Sequence, residues 1–140
     1  LKSAEQHNPR VQSYYNAMDL LERVGWFENP RLQEMVRQYS ERMPKRKDGT
    51  GLIDDWNEWK EGSSEQRRRI ERNSYYSTTI KILKKERDRG RQEILMNPQH
   101  GIAVDRAVIE WFGRNPTHQE NLPLYIGLYK VQPRRMSIAS

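Results

Sequence analysis

The chain of 140 residues has no cysteine. That excludes a disulfide scaffold, thiolate metal sites and thiol chemistry, and it fits a reducing compartment. It also lacks any apolar run near the roughly 18–20 residues that a membrane-crossing helix needs. Core-forming residues are scarce. Leu, Ile, Val and Phe together number 27 of 140, about 19%, at the edge of the range in which chains fold alone. The expectation is marginal stability in isolation and stronger ordering within an assembly. The chain opens on Leu1 rather than Met, which fits either a removed targeting segment or further residues ahead of it.

Recognisable catalytic patterns are absent as well. His7, His100 and His118 are far apart, and none falls in a His-Glu-x-x-His arrangement. No Gly-x-Ser-x-Gly elbow and no Gly-x-Gly-x-x-Gly loop occurs. Asp54 and Asp55 are adjacent, so on a regular element they point apart and make no acid/base pair. "PKRKDGTG" lacks the Gly-Lys-Ser/Thr of a phosphate loop, and its aspartates miss the alternating positions of a calcium loop. The expectation is a protein that is not an enzyme, with no catalytic residue, metal or cofactor.

What the sequence does have is punctuation. Four of the 7 prolines follow asparagine, at Asn8-Pro9, Asn29-Pro30, Asn97-Pro98 and Asn115-Pro116. Asparagine is a strong helix N-cap and proline suits the first helical position, so each pair marks a helix start. After Pro9, Val11, Tyr14, Tyr15, Met18 and Leu21 keep helical spacing. After Pro30, Leu32, Met35, Val36, Tyr39 and Met43 do the same. Gly25 suits a left-handed C-cap between the two, with Trp26 and Phe27 plugging the corner. The pattern predicts an antiparallel helical hairpin over 9–43.

Residues 44–63 read as a loop in which Trp56 and Trp59 form a short helical turn. The core reading of these tryptophans comes first, and partner anchors are the alternative. Ser63, with Gln66 three residues on, then starts a long basic helix over 64–96. An apolar helix follows over 98–113, carrying Ile102, Val104, Val108, Ile109, Trp111 and Phe112 and closed by Gly113. The segment over 114–140 reads as helical or irregular, because a lone strand has nothing to pair with. The fold class is therefore all-α: a single domain over 1–140 with extended loops or tails, its hairpin packed on the long helix.

The charge is concentrated. The net charge is +6. Residues 64–91 hold 10 Lys/Arg against 4 Asp/Glu and carry the whole excess. Arginine outnumbers lysine 17 to 8, and it suits bidentate contact with phosphate and stacking on rings. The candidate set for RNA or an acidic partner is Arg67, Arg68, Arg69, Arg72, Lys84, Lys85, Arg87, Arg89 and Arg91. Anionic lipid headgroups would be served by the same residues. The competing reading is a solvated face with internal pairs such as Glu65 with Arg69. The candidate protein interface is Trp56, Trp59, Trp111 and Phe112. The basic tail at Lys130, Arg134 and Arg135 is held in reserve as a second cationic segment.

Trp59-Lys60 followed by Ser63, Glu65, Ile70 and Arg72 resembles the matrix-side segment of cytochrome oxidase subunit IV over fewer than twenty residues. That family continues into a membrane-spanning helix that this sequence does not carry, and no function transfers. In composition the chain is similar to accessory proteins of mitochondrial assemblies: basic, rich in Arg and Trp, and thinly cored. These readings lead to a non-catalytic structural subunit on the matrix side of the mitochondrion, bound to several protein subunits. An RNA-contacting ribosomal protein is favoured. A soluble accessory subunit of a respiratory-chain or ATP synthase complex is the alternative.

Overall fold

The computed structural model describes residues 9–126. Among them the chain is all-α, about 80% helical and without strands. Six α-helices follow in order: α1 (Pro9–Arg23), α2 (Pro30–Arg42), α3 (Leu52–Glu61), α4 (Ser64–Asn73), α5 (Ser77–Met96) and α6 (Pro98–Arg114). A 3-10 helix, Pro116–Leu124, comes last. No helix among the described residues is long and apolar enough to cross a membrane. Contacts divide the chain into two compact units, one within 1–27 and 91–140 and the other 28–90.

In the first unit, Tyr14, Ala17, Met18 and Leu21 of α1 are buried at helical spacing. They share a core with Ile94, Val104, Val108 and Phe112. Gly25, at φ +83°, ends α1 in the left-handed conformation. The Trp26 N–H donates to Leu21 O at 2.8 Å and the Gly25 N–H to Glu22 O at 3.2 Å, the paired closure expected at a glycine C-cap. Phe27 packs on this core, while Trp26 stays 39% exposed, so only one of the two aromatics plugs the corner. Asn97 caps α6 through its side chain, which accepts from the Gln99 N–H at 3.1 Å. Gly113 lies inside α6 rather than closing it; the cap is Asn115. The 3-10 helix is long for its kind. It is fastened by Asn16 Nδ2 donating to Leu124 O at 3.1 Å and Gln119 Nε2 donating to Phe112 O at 2.7 Å.

The second unit is built on Leu52, Trp56, Trp59, Ile70, Tyr76, Ile80 and Leu83. The stripe of α2, Leu32, Met35, Val36 and Tyr39, packs against this cluster together with the cap residue Met43. The hairpin expected over 9–43 spans the two units, with the α1 stripe contributing to one core and the α2 stripe to the other. The tryptophan turn is a full ten-residue helix, α3, whose Trp56 and Trp59 rings stack at 5.2 Å. The loop before it is held by Arg46, which donates to Asp55 at 3.0 and 2.6 Å. Tyr76 Oη donates to Pro44 O at 2.7 Å.

The long helix expected over 64–96 is two helices. Ser74 divides them. Its N–H closes α4 on Ile70 O at 3.1 Å, and its Oγ accepts from the Tyr76 N–H at 3.0 Å to open the next turn. Its hydroxyl also donates to Asp55. Serine competes with the backbone for its own hydrogen bonds, so it is suited to capping and not to a helix interior. The C-terminal readings beyond 126, including the tail at Lys130, Arg134 and Arg135, lie outside the described residues, as do His7 and Asn8.

Candidate functional site

The nine basic candidates divide sharply. Arg67 points inward: its Nε donates to Trp59 O at 2.8 Å and its Nη2 to Lys60 O at 2.7 Å. Its guanidinium lies 4.3 Å from the Trp59 ring centroid. Arg87, 5% exposed, lies 4.6 Å from the Trp59 ring and pairs with Asp88 at 3.2 Å. Lys84 pairs with Glu71 at 3.2 Å. Burial pushes the Glu71 carboxyl up, but hydrogen bonds from Trp59 and Lys84 and the lysine charges outweigh it, so it ends below the usual range. Arg89 binds Glu86 at 2.5 Å. In the first unit Arg91 pairs with Asp19 and lies 5.4 Å from the Tyr15 ring. These five side chains hold the fold together.

Four remain: Arg68, Arg69, Arg72 and Lys85 are exposed. Among the described residues no side chain pairs with them. Three of the four are on α4, and the helical period explains why. At about 100° per residue, Arg68, Arg69 and Arg72 share one arc, while Arg67, Ile70 and Glu71 fall on the other side. Ile70 is buried at 6% exposure and anchors that inner side. Ser63 fixes the start of α4, its Oγ accepting from the Gln66 N–H at 3.2 Å. The pairing of Glu65 with Arg69 that the competing solvated-face reading offers does not form. Instead Glu65, Arg68, Arg69, Arg72 and Asn73 line an open hollow of about 350 Å³.

Three of the four aromatic candidates are interior residues. Trp56 and Trp59 are 3% and 1% exposed, which settles them as core. Phe112 is 2% exposed, and Trp111 is half-buried with its ring edge-on to Phe112 at 4.9 Å. Trp111 and Phe112 border a hollow of about 270 Å³ with His118 and Tyr125. Tyr75, inside the span expected as one long helix, is 66% exposed. The run Asn73-Ser74-Tyr75-Tyr76-Ser77-Thr78-Thr79, all weak helix formers, is the signal for a corner at that point.

Among the described residues, no group of three or more His, Asp or Glu side chains is placed to hold a metal ion. His100 and His118 are exposed, and His118 lies 5.9 Å from the Trp111 ring. What α4 presents is a set of exposed guanidinium groups with no side-chain partner among the described residues, suited to an anionic partner that accepts several hydrogen bonds at once. In comparisons with protein-family models, curated proteins and solved structures, nothing matches the chain.

Proposed function

We propose that the protein is a non-catalytic structural subunit of a large ribonucleoprotein, with α4 laid against RNA phosphates. The observation that carries this reading is the division of the arginines. Arg68, Arg69 and Arg72 stand unpaired on one face, whereas Arg67, Arg87, Arg89 and Arg91 have internal partners. A row of free guanidinium groups at helix spacing is what phosphate contact requires, and it carries no demand for base sequence. The mitochondrial ribosome is the assembly we favour, on the compositional likeness described above.

One observation supports a second reading. Glu65 lines the same hollow as the three arginines, and a carboxylate there disfavours a uniformly anionic ligand while suiting a protein of mixed charge. In that case the chain is a soluble matrix-side accessory subunit of a respiratory-chain or ATP synthase complex. Fractionation of the native protein separates the two. Co-sedimentation with ribosomal subunits, lost when Arg68, Arg69 and Arg72 are changed to Gln, is the expected result. Co-migration with a respiratory complex instead would overturn the RNA reading.

A further inference from the structure

Tyr75 lies three residues beyond Arg72, at the corner between α4 and α5. Three residues of chain span at most about 11 Å, so the Tyr75 backbone lies within that reach of the last arginine on α4. It is the most exposed aromatic among the large hydrophobics of the described residues, at 66%. The ring is nevertheless well supported. It meets Tyr76 edge-to-face, with centroids 5.0 Å apart and planes at 82°. Tyr76 is 1% exposed, its hydroxyl is held by Pro44 O, and the Arg46 guanidinium lies 4.9 Å from its ring. No other described ring or cation stacks on Tyr75. The result is an open aromatic face on a buried support, three residues along the chain from an arginine that has no side-chain partner among the described residues.

An RNA backbone alone has no use for that face. Unpaired bases do, because each offers a free ring to stack on, and proteins that hold single strands combine a cationic track with such a platform. Bases inside a duplex are already stacked on one another, and a duplex is met mainly through its phosphates and 2′-hydroxyls. Resting on the RNA reading above, we propose that the α4–α5 corner is a site for unpaired RNA. Arg68, Arg69 and Arg72 hold successive phosphates, and one base stacks on Tyr75.

The test is fluorescence anisotropy of the full chain with a labelled single-stranded RNA and a labelled RNA duplex at equal salt. The single strand should bind more tightly. Tyr75→Leu should weaken single-strand binding by about five- to hundredfold and leave duplex binding unchanged, while Tyr75→Phe should bind as the parent does. Circular dichroism of each variant checks that the fold is kept. Equal binding of both RNAs with Tyr75→Leu without effect overturns this site and leaves the RNA reading standing. Absence of binding to either RNA at any salt overturns the RNA reading and this site with it.

Discussion

Asn29 and Glu86 join the start of α2 to the middle of α5. The Asn29 side-chain oxygen accepts from the Arg31 and Leu32 N–H groups at 3.0 and 3.3 Å, capping α2. Its Nδ2 donates to the Glu86 carboxylate at 2.9 Å. Both side chains are buried, at 9% and 8% exposure. One amide thus satisfies a helix end and a carboxylate 57 residues away.

Asn29→Ala removes both functions. Loss of the cap costs about 0.5–2 kcal/mol, and loss of a hydrogen bond to a charged group adds about 1.5–3 kcal/mol. Urea unfolding should show a lower midpoint corresponding to about 2–5 kcal/mol. Asn29→Asp keeps the capping oxygen but places a second carboxylate against Glu86, so it should also destabilise. A parent-like midpoint for Asn29→Asp would mean that the bond to Glu86 contributes nothing.

Glu86 itself sets an acid limit. Hydrogen bonds from Arg89 lower its pKa most; burial opposes them, and Asn29 and the charges of Arg89 and Arg31 add to the lowering, leaving it at about 2. The folded-state value lies below the ordinary value of 4.5. A lowered carboxylate contributes its stability in full above the unfolded value and loses it as pH falls toward the folded one. The difference in unfolding midpoint between the parent and Glu86→Gln should therefore be constant at neutral pH and shrink between about pH 4.5 and about pH 2. A difference that persists undiminished at the acid end would show that the ionised carboxylate is not what the arginines hold.

The helix starts were legible because capping is local. Asn29-Pro30 and Asn97-Pro98 begin helices with the asparagine side chain accepting from the first turn. The left-handed Gly25 follows from the same short-range chemistry. What each helix packs against was not legible. The stripes of α1 and α2 look alike in sequence, and nothing in their spacing says that one joins Val104 and Val108 and the other joins Trp59 and Leu83. The basic stretch was legible as charge but not as a site. The sequence shows Arg67, Arg68 and Arg69 as one run, while the helical period sends the first inward onto Trp59 and leaves the next two outside. The partner of Arg91, Asp19, is 72 residues away in sequence, whereas Arg87 and Arg89 pair with the nearby Asp88 and Glu86.

That division predicts opposite behaviour for adjacent arginines. Arg67→Gln loses the stacking on Trp59 and two hydrogen bonds to carbonyl oxygens. It should cost about 1–3 kcal/mol in urea unfolding followed by tryptophan fluorescence. Arg68→Gln touches no partner and should shift stability by no more than about 0.5 kcal/mol. Equal effects of the two substitutions would contradict the inward and outward assignment.

RNA binding supplies the sharpest measure of the outward set, because it reads charge and not fold. Each phosphate contact releases condensed counterions, so the logarithm of affinity falls linearly with the logarithm of salt concentration. The slope is about −0.7 to −0.9 per contact. Changing Arg68, Arg69 and Arg72 together to Gln should reduce the steepness by about two to three units, with little dependence on RNA sequence. Glutamine keeps good helix propensity, and the three side chains hold nothing in place, so the fold should persist. Glu65→Gln supplies the opposite sign. Removing the carboxylate from the arginine hollow should strengthen binding at low salt, and less so at high salt, where its repulsion is screened. A triple variant with the parent's salt slope would exclude α4 as the phosphate-binding face. The cationic Lys130, Arg134 and Arg135 would then be the next residues to substitute.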